Sequence, residues 1–252
     1  MPCIFFLLGI VFGSFGNVLI YRLPSGISIR GRSQCMSCKR ILRSHELIPI
    51  ISFLLRGGKC ATCEAKLSWQ YPAVELGSGG LFILALFIAP TSYTAAILSL
   101  ALWLLLLISF IDARIQGIPD ALSVPFIALS LLYGSLLGEL ELLSFTIGVG
   151  FFGLQWLLSK GKWIGSGDIL LMVGLSALLG KAEMVLFMLL IAYITGAIVA
   201  SVLLLKRKMH RKTHIAFGPF LAFGTLVTLI IGDKVTSCLL WSANACTGLL
   251  FF

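Results

Sequence analysis

Apolar runs of nearly twenty residues recur along most of this chain, and they restrict its fold more than any other feature. A helix that crosses the hydrocarbon core of a bilayer needs about 20 apolar residues, because each residue advances it by about 1.5 Å. Charged residues make up only 12% of the 252 residues, and the mean hydropathy of +1.05 is atypical of soluble domains. The sequence therefore predicts an all-α polytopic membrane protein with about eight transmembrane helices. The predicted spans are 3–21, 72–89, 93–111, 120–137, 141–158, 163–182, 184–205 and 215–232.

The two ends of the chain need separate interpretations. The opening residues Met1-Pro2-Cys3 lack the basic region and small-residue cleavage site of a signal peptide, so we expect a retained first span. At the other end, Thr236 and Asn244 dilute the apolar character of segment 235–252. This segment could be a ninth span, an interfacial helix or a tail.

Basic residues are distributed unevenly between the loops. Seventeen of the 19 lysines and arginines fall in alternate loops, and the exceptions are Lys181 and Lys234. Because lysine and arginine near span ends are retained in the cytoplasm, we expect the N-terminus outside and the loop 22–71 inside. Basic loops beside an anionic leaflet also account for the net charge of +9. The expected partners therefore include membrane lipids but no nucleic acid.

Two aspartates interrupt this apolar pattern. Asp112 closes the run Leu-Ile-Ser-Phe-Ile, and Asp168 ends the sequence Gly165-Ser166-Gly167-Asp168. A carboxylate at the edge of the hydrocarbon core costs several kcal/mol on roughly any scale, so such residues usually serve a function. The predicted topology puts both on the cytoplasmic side, where they can meet. Gly165 and Gly167 would let the backbone unwind and let a substrate strand approach closely.

A pair of neighbouring carboxylates can act as acid and base together. Like charges a few ångströms apart cannot both ionise cheaply, so one carboxyl group holds a proton while the other stays charged, as in aspartic proteases. Asp168 lies near the N-terminus of a predicted helix, which favours the charged carboxylate. Asp112 lies at the C-terminus of another, which favours the protonated form. A structural alternative remains open: Asp168 and Asp120 could each start a helix, and Asp112 could pair with Arg114.

Four cysteines in the predicted cytoplasmic loop have the spacing of a metal site. Cys35 and Cys38 form one C-x2-C pair, Cys60 and Cys63 form another, and 21 residues separate the pairs. This spacing indicates a tetrathiolate zinc site, which has no open coordination position and is therefore structural. Two disulfides are the alternative, but a reducing cytoplasm disfavours them. A segment of some fifty residues has little core of its own, so zinc would supply much of its folding energy.

Further motifs occur in order around these sites: 13–24 (GSFGNVLIYRLP), 45–49 (HELIP), 71–76 (YPAVEL), 118–120 (IPD) and 216–220 (AFGPF). Together with the cysteine pairs and the two aspartates, they make the chain resemble bacterial type IV prepilin peptidases. These are GxGD intramembrane aspartyl proteases of pilus and type II secretion systems, and they also act as N-methyltransferases. Three positions depart from the family pattern: Gly16 replaces a frequent leucine, Leu170 a frequent lysine, and Met36 a common proline.

The resemblance implies two reactions in the bacterial cytoplasmic membrane. Asp112 and Asp168 would cut the basic leader from type IV prepilins or pseudopilins, and the new amino terminus would be methylated from S-adenosylmethionine. Candidate cofactor-binding residues are Asn17, Arg22 and Glu75. Each has a structural alternative: an interhelical hydrogen bond for Asn17, an interfacial anchor for Arg22, and an ion pair with a loop cation for Glu75.

The resulting domain division has three parts. The first transmembrane helix is expected at 1–21, a zinc-binding, methyltransferase-associated domain at 22–71, and a transmembrane aspartyl protease domain at 72–252. Two other functions remain possible from the residues alone. The aspartates could carry ions or protons in a membrane transporter whose zinc domain regulates it, or the chain could be a zinc-stapled scaffold without chemistry.

Overall fold

In the computed structural model, the described residues, 1–206 and 215–240, fold mainly into helices. For residue 233 and residues 235–240 only the backbone is described. These parts contain nine α-helices and one short 3-10 helix at Ser44–Leu47, and their only β pairings are two isolated bridges. The α-helices are α1 (Pro2–Arg22), α2 (Ile51–Leu55), α3 (Gln70–Ile88), α4 (Ser92–Ile115), α5 (Asp120–Leu137), α6 (Leu142–Ser159), α7 (Ser166–Leu179), α8 (Ala182–Leu205) and α9 (Gly218–Leu240).

Six of these helices are long and apolar enough to cross a membrane: α1, α3, α4, α5, α6 and α8. The prediction of an all-α, multi-pass membrane protein is therefore confirmed. α7 and the segment Gly218–Gly232 of α9 are apolar but shorter. The 14 residues of α7 measure only about 21 Å, less than the roughly 30 Å of a hydrocarbon core. The number of eight spans stays a prediction.

The predicted bounds are close for most helices and wrong for α4, α7 and α9; α7 ends three residues before the predicted 182, and α9 continues to Leu240, eight residues past the predicted 232. α5 covers the predicted 120–137, whereas α4 continues to Ile115, so Asp112 lies inside this helix rather than at its end. α7 begins three residues later than predicted, because Lys160 and Gly161 turn the chain with positive φ after α6. α9 also begins three residues late, at Gly218, where Pro219 occupies the first turn that proline favours.

The first compact unit, Met1–Leu107, is built around close packing of α1 and α3. A Cβ atom on Gly9 would lie 2.6 Å from the carbonyl oxygen of Ser78, and one on Gly13 would lie 2.6 Å from the Cα of Glu75. These two glycines, four residues apart, therefore let the two backbones approach as in small-residue membrane interfaces. The segment between α1 and α3 holds the four cysteines, the 3-10 helix and α2.

The second compact unit, Ile108–Phe252, has α7 at its centre. α7 packs against α5, α6, α8 and α9, and nearly all of its residues after the first turn are buried. At one end of the unit, Lys181 forms a 3.0 Å ion pair with Glu139, and the Glu141 carboxylate accepts the amide of Ala182 at 3.1 Å. The loops 138–141 and 180–181 therefore lie together.

Candidate active site and metal site

Asp112 is buried in α4 and is held by the start of α9. Its side chain accepts the amide of Gly218 at Oδ2, with a distance of 2.8 Å. A Cβ atom at Gly218 would lie only 2.8 Å from the same Oδ2 atom and 3.3 Å from the Cγ atom. Gly218 therefore makes room for the carboxylate as well as donating to it. In the described part of the chain, no ion pair joins Asp112 to Arg114.

Asp168 is the third residue of α7 and is half-buried. Its Oδ2 atom accepts the amide of Gly165, the residue before the helix, at 3.2 Å. The alternative that this carboxylate stabilises a helix start therefore fits the structure, and it leaves the other carboxylate oxygen for chemistry. The predicted span 163–182 would begin five residues before Asp168, whereas α7 begins only two residues before it.

The two glycines beside Asp168 have different surroundings. Gly167 is already helical, and a Cβ atom there would lie 3.1 Å from the Cβ atom of Ile118. It therefore accommodates the chain's own loop before α5 and does not unwind the backbone as expected. Gly165 precedes the helix in an extended conformation, and a Cβ atom there would meet nothing closer than 3.5 Å. Only Gly165 keeps an open face.

Asp112 and Asp168 line one cavity of about 370 Å³. Its wall also includes Gln155 of α6 and Tyr193 of α8, whose amide nitrogen and hydroxyl group are 3.0 Å apart. The ring of Tyr193 packs on that of Phe217, with centroids 5.0 Å apart. The cavity thus has carboxylate, neutral polar and aromatic surfaces. The sequence analysis overlooked Gln155 and Tyr193, although a glutamine within an apolar helix was a usable signal.

Both carboxylates accept an amide at the start of a helix, Asp112 from α9 and Asp168 from α7. The expected division of roles assumed that only Asp168 has such a position. This asymmetry is absent, since Asp112 lies near the end of its own helix but at the beginning of another. Helix position therefore does not decide which carboxyl group holds the proton.

The four cysteines converge into a cluster that could hold a metal ion. The sulfur atoms of Cys35, Cys38, Cys60 and Cys63 all lie within 4.8 Å of one another. The Cys35 and Cys63 sulfurs are 3.8 Å apart, and these cysteines form no disulfide. Four thiolates at about 2.3 Å from a tetrahedral zinc ion would be separated by about 3.8 Å, so the donor set fits zinc.

The two cysteine pairs share one local structure. The amide of Cys35 donates to the carbonyl of Arg40 at 2.9 Å, and the amide of Cys60 donates to the carbonyl of Ala65 at 3.0 Å. Both turns place the residue after the second cysteine at positive φ, 58° for Lys39 and 52° for Glu64. In the second turn, the amides of Cys63 and Thr62 lower the pKa of Cys60 to about 6, whereas burial and the sulfur atoms of Cys60, Cys38 and Cys35 raise the pKa of Cys63 to about 11.

Glu46 ties the 3-10 helix to the first cysteine turn. Its carboxylate lies 2.7 Å from the Arg40 guanidinium and 3.2 Å from that of Arg56, and it also accepts the amide of Arg43 at 2.8 Å. Donation from Arg40 is the main reason that the pKa of Glu46 falls to about 2. The sequence analysis had noted Glu46 only as part of a motif.

A second cavity, of about 430 Å³, lies among residues 14–71 of the first unit. Asn17 and Arg22 line it, but Glu75 does not. Asn17 is only 4% exposed and donates to the carbonyl of Tyr71 at 3.1 Å, while its Oδ1 atom is buried without a hydrogen-bond partner. A buried acceptor without a donor is costly, so the Oδ1 atom of Asn17 lacks the hydrogen bond that would offset its burial.

Arg22 and Glu75 have structural contacts that differ from the expected alternatives. The Arg22 guanidinium donates to four backbone carbonyls, those of Ser28, Ile29, Arg30 and Arg32, at 3.1–3.2 Å, and so organises the loop after α1. Glu75 is buried and accepts the amide of Ile50 at 2.7 Å, so the expected ion pair with a loop cation is wrong.

Comparisons with known proteins agree on one family. Residues 7–89 match the family model described as the bacterial peptidase A24 N-terminal domain, and residues 98–201 match that of the type IV leader peptidase family. Over 94% of its length the chain is 34% identical to a prepilin leader peptidase/N-methyltransferase of Stutzerimonas stutzeri, of which the match covers 93%. The chain belongs to the type IV leader peptidase family.

Other relatives of this chain carry the same name as the Stutzerimonas stutzeri protein. The protein from Pseudomonas aeruginosa is 30% identical over 91% of the chain and 90% of its own length, and that from Bacillus subtilis is 30% identical over 94% and 97%. No solved structure matches the chain. The matched regions of this family member contain both aspartates and all four cysteines, whereas Gly218 lies beyond residue 201.

Proposed function

We propose that this chain is an intramembrane aspartyl endopeptidase that removes the leader peptide of type IV prepilins or pseudopilins. The observation that carries the proposal is the shared cavity of Asp112 and Asp168, two carboxylates 56 positions apart in the sequence. Family membership supports the same reaction, because the relatives are named prepilin leader peptidases. Nothing among the relatives points to the transporter alternative.

The two carboxyl groups supply both proton transfers that hydrolysis of a peptide bond needs. The charged carboxylate takes a proton from water as the water oxygen attacks the peptide carbonyl carbon, while the protonated carboxyl group donates to the carbonyl oxygen. When the tetrahedral intermediate collapses, the C–N bond breaks and the carboxyl group that took the proton from water donates it to the leaving nitrogen. The other carboxylate recovers its proton from the hydroxyl group of the intermediate. The products are a leader with a free carboxylate and a mature chain with a free amino group.

Replacing each aspartate by asparagine tests this assignment. Asp112→Asn and Asp168→Asn keep the shape of the side chains but remove the acid–base pair, so each should lower the cleavage rate of a prepilin by roughly 10²- to 10⁴-fold. Asp120→Asn is the matched control, because Asp120 is exposed in the first turn of α5 and does not line the cavity. Wild-type cleavage by either cavity variant would contradict the assignment.

We also propose that the protein methylates the new amino terminus and that the 430 Å³ cavity holds the methyl donor. S-adenosylmethionine supplies an electrophilic methyl group for a neutral amine. Asn17 lines this cavity, and Tyr21, Phe53 and Tyr71 offer aromatic surface for the base of the methyl donor. Arg22 contributes indirectly, since its guanidinium holds the loop that forms one wall.

Donor binding can be measured apart from methyl transfer. Asn17→Ala should weaken calorimetrically measured binding of S-adenosylmethionine by about tenfold, the loss of roughly one hydrogen bond. It should leave proteolysis intact. Ser25→Ala is the control, because Ser25 is exposed and lies outside the cavity lining. Unchanged binding of S-adenosylmethionine by Asn17→Ala would contradict the assignment of this cavity to the methyl donor. The peptidase proposal would be unaffected.

We propose that the four cysteines bind a structural zinc ion. We also propose that the whole chain lies in the cytoplasmic membrane of a bacterium. Four thiolates leave zinc no position for a substrate or water, so the metal would stabilise the segment 22–71 rather than take part in either reaction. The proposed orientation has the N-terminus outside, with this domain and both aspartates towards the cytoplasm. The functional division at 1–21, 22–71 and 72–252 is part of the same proposal.

A further inference from the structure

The short helix α2 exposes an apolar face outside the helices that are long enough to cross a membrane. Three of its five side chains, Ile51, Leu54 and Leu55, are 55%, 64% and 82% exposed, while Phe53 points inward and is buried. Trp69 adds a large apolar ring that is 73% exposed. Contiguous exposed apolar side chains on a small domain mark an interaction surface.

Two contacts tie α2 to the start of a membrane helix. The ring of Phe53 packs on Trp69, the residue directly before α3, with centroids 5.1 Å apart. The amide of Ile50, directly before α2, donates to Glu75, which is the sixth residue of α3 and so lies about 8 Å along that helix. α2 therefore begins beside the second turn of a helix that is long and apolar enough to cross the bilayer.

The charge of the surrounding segment favours an anionic partner. Residues 22–71 contain nine lysines and arginines but only two acids, Glu46 and Glu64. Glu46 is already paired with Arg40 and Arg56, whereas Arg43, Lys59 and Lys66 are exposed. A segment that combines exposed basic and exposed apolar side chains has the composition of surfaces that rest on anionic lipid, and tryptophan is enriched at the same depth.

We propose that Ile51, Leu54, Leu55 and Trp69 form a lipid-contact surface, which inserts into the headgroup region of the anionic leaflet that α3 enters. The surface would hold the cysteine-containing domain flat against the membrane. Insertion of an apolar helix face reaches roughly 5–10 Å into this region, which agrees with the level of Ile50 on α3. Three side chains of a five-residue helix are too few for a stable protein–protein interface, which buries about 800 Å² on each partner.

Lipid-borne quenchers test this surface in the full chain. A fluorescent amino acid replaces Leu55, or in the control Thr62, which is exposed in the second cysteine turn. Both variants are placed in nanodiscs of phosphatidylethanolamine and phosphatidylglycerol that contain a lipid with a nitroxide near its headgroup. The probe at position 55 should be quenched at least about twofold more than the probe at position 62, and its emission should be shifted to the blue.

Four results would count against the proposal. Equal quenching at positions 55 and 62 would remove the lipid contact. A blue-shifted probe at position 55 that responds to a second protein copy per disc, but not to the nitroxide, would assign the face to self-association. Unchanged quenching after phosphatidylcholine replaces phosphatidylglycerol would exclude recognition of anionic charge.

A Leu54→Ser and Leu55→Ser double variant with retained metal content should expose Trp69 to an aqueous quencher, and unchanged protection of Trp69 would also count against the surface.

Discussion

At the scale of single residues, Gly218 shows how the absence of a side chain can position a carboxylate, here that of Asp112, which we propose as catalytic. A Cβ atom there would lie 2.8 Å from Oδ2 of Asp112, so Gly218→Ala must displace either the carboxylate or the start of α9. We expect cleavage of a prepilin to fall by about 100-fold, as misplacement of a reacting group by an ångström can do. Steady-state rates in detergent would measure this loss.

The control for Gly218→Ala is the same change at Gly150. This glycine is exposed on α6, and a Cβ atom there would meet nothing within 4 Å. Gly150→Ala should keep the wild-type cleavage rate, because alanine also favours the helix. A Gly218→Ala enzyme that cleaves as fast as this control would show that Asp112 tolerates a methyl group beside it.

Glu46 provides a prediction about pH at the same scale. Its pKa in the folded protein is about 2, below the ordinary 4.5, so its ion pairs stabilise the fold above pH 4.5 and are lost as the pH falls towards 2. Glu46→Gln should therefore lower the midpoint of thermal unfolding, and by the same amount at pH 6 and pH 8. Thermal scans at the two pH values measure it, with the exposed Glu64→Gln as control. A loss that differs between the two pH values would contradict the carboxylate pairing.

At the scale of elements, hydropathy predicted helices better than it predicted their ends. α5 matched because Pro119 and Gly138 bound it in the sequence, and proline and glycine punctuate structure locally. α7 did not match, because Trp163 and Ile164 are apolar yet belong to a turn set by positive φ at Lys160 and Gly161. Hydropathy records how apolar a residue is, not whether its backbone is helical.

The candidate sites show a similar limit: their residue types could be predicted, but contacts between distant segments could not. The aspartates and cysteines could be predicted because their residue types are rare in membrane segments or regularly spaced. The contact of Asp112 with Gly218 could not, since it joins residues 106 positions apart and depends on how α4 meets α9. The Gln155–Tyr193 pair escaped notice for a related reason, because only packing of α6 and α8 brings the two side chains to one wall.

The two cysteine turns allow a prediction about the stability of the segment 22–71, which contains them. Cys60→Ser removes one of four thiolates, so bound zinc should fall from about one per chain towards zero after dialysis, and the segment 22–71 should become sensitive to protease. Elemental analysis and limited proteolysis measure the two effects. Cys3→Ser is the matched control, because Cys3 is exposed on α1 and lies outside the cluster. Full zinc content in Cys60→Ser would refute the four-thiolate site.

At the scale of the whole molecule, the loops of the second unit already sort into two groups. Gln116, Gly161–Gly165 and Ile215–Phe217 line the cavity of the two aspartates, whereas the loops 138–141 and 180–181 meet through Lys181 and Glu139. If the two groups of loops lie on opposite sides of the membrane, every intervening helix crosses it, including α7 with its 14 residues. Such a short helix could cross where polar loops enter the membrane from the cavity side, sheltered by the surrounding helices.

This alternation predicts which lysines an external reagent can reach in intact cells. If the basic loops are cytoplasmic, an amine reagent that cannot cross the membrane should modify Lys181 from outside, but Lys59, Lys66 and Lys162 only after lysis. Mass spectrometry of the labelled protein would locate the modified lysines, and Lys181→Arg would identify the signal of that residue. Labelling of Lys162 before lysis would reverse the orientation. Labelling of Lys181 only after lysis, together with Lys59, would instead contradict the expected outer side of the loops 138–141 and 180–181, which lie together.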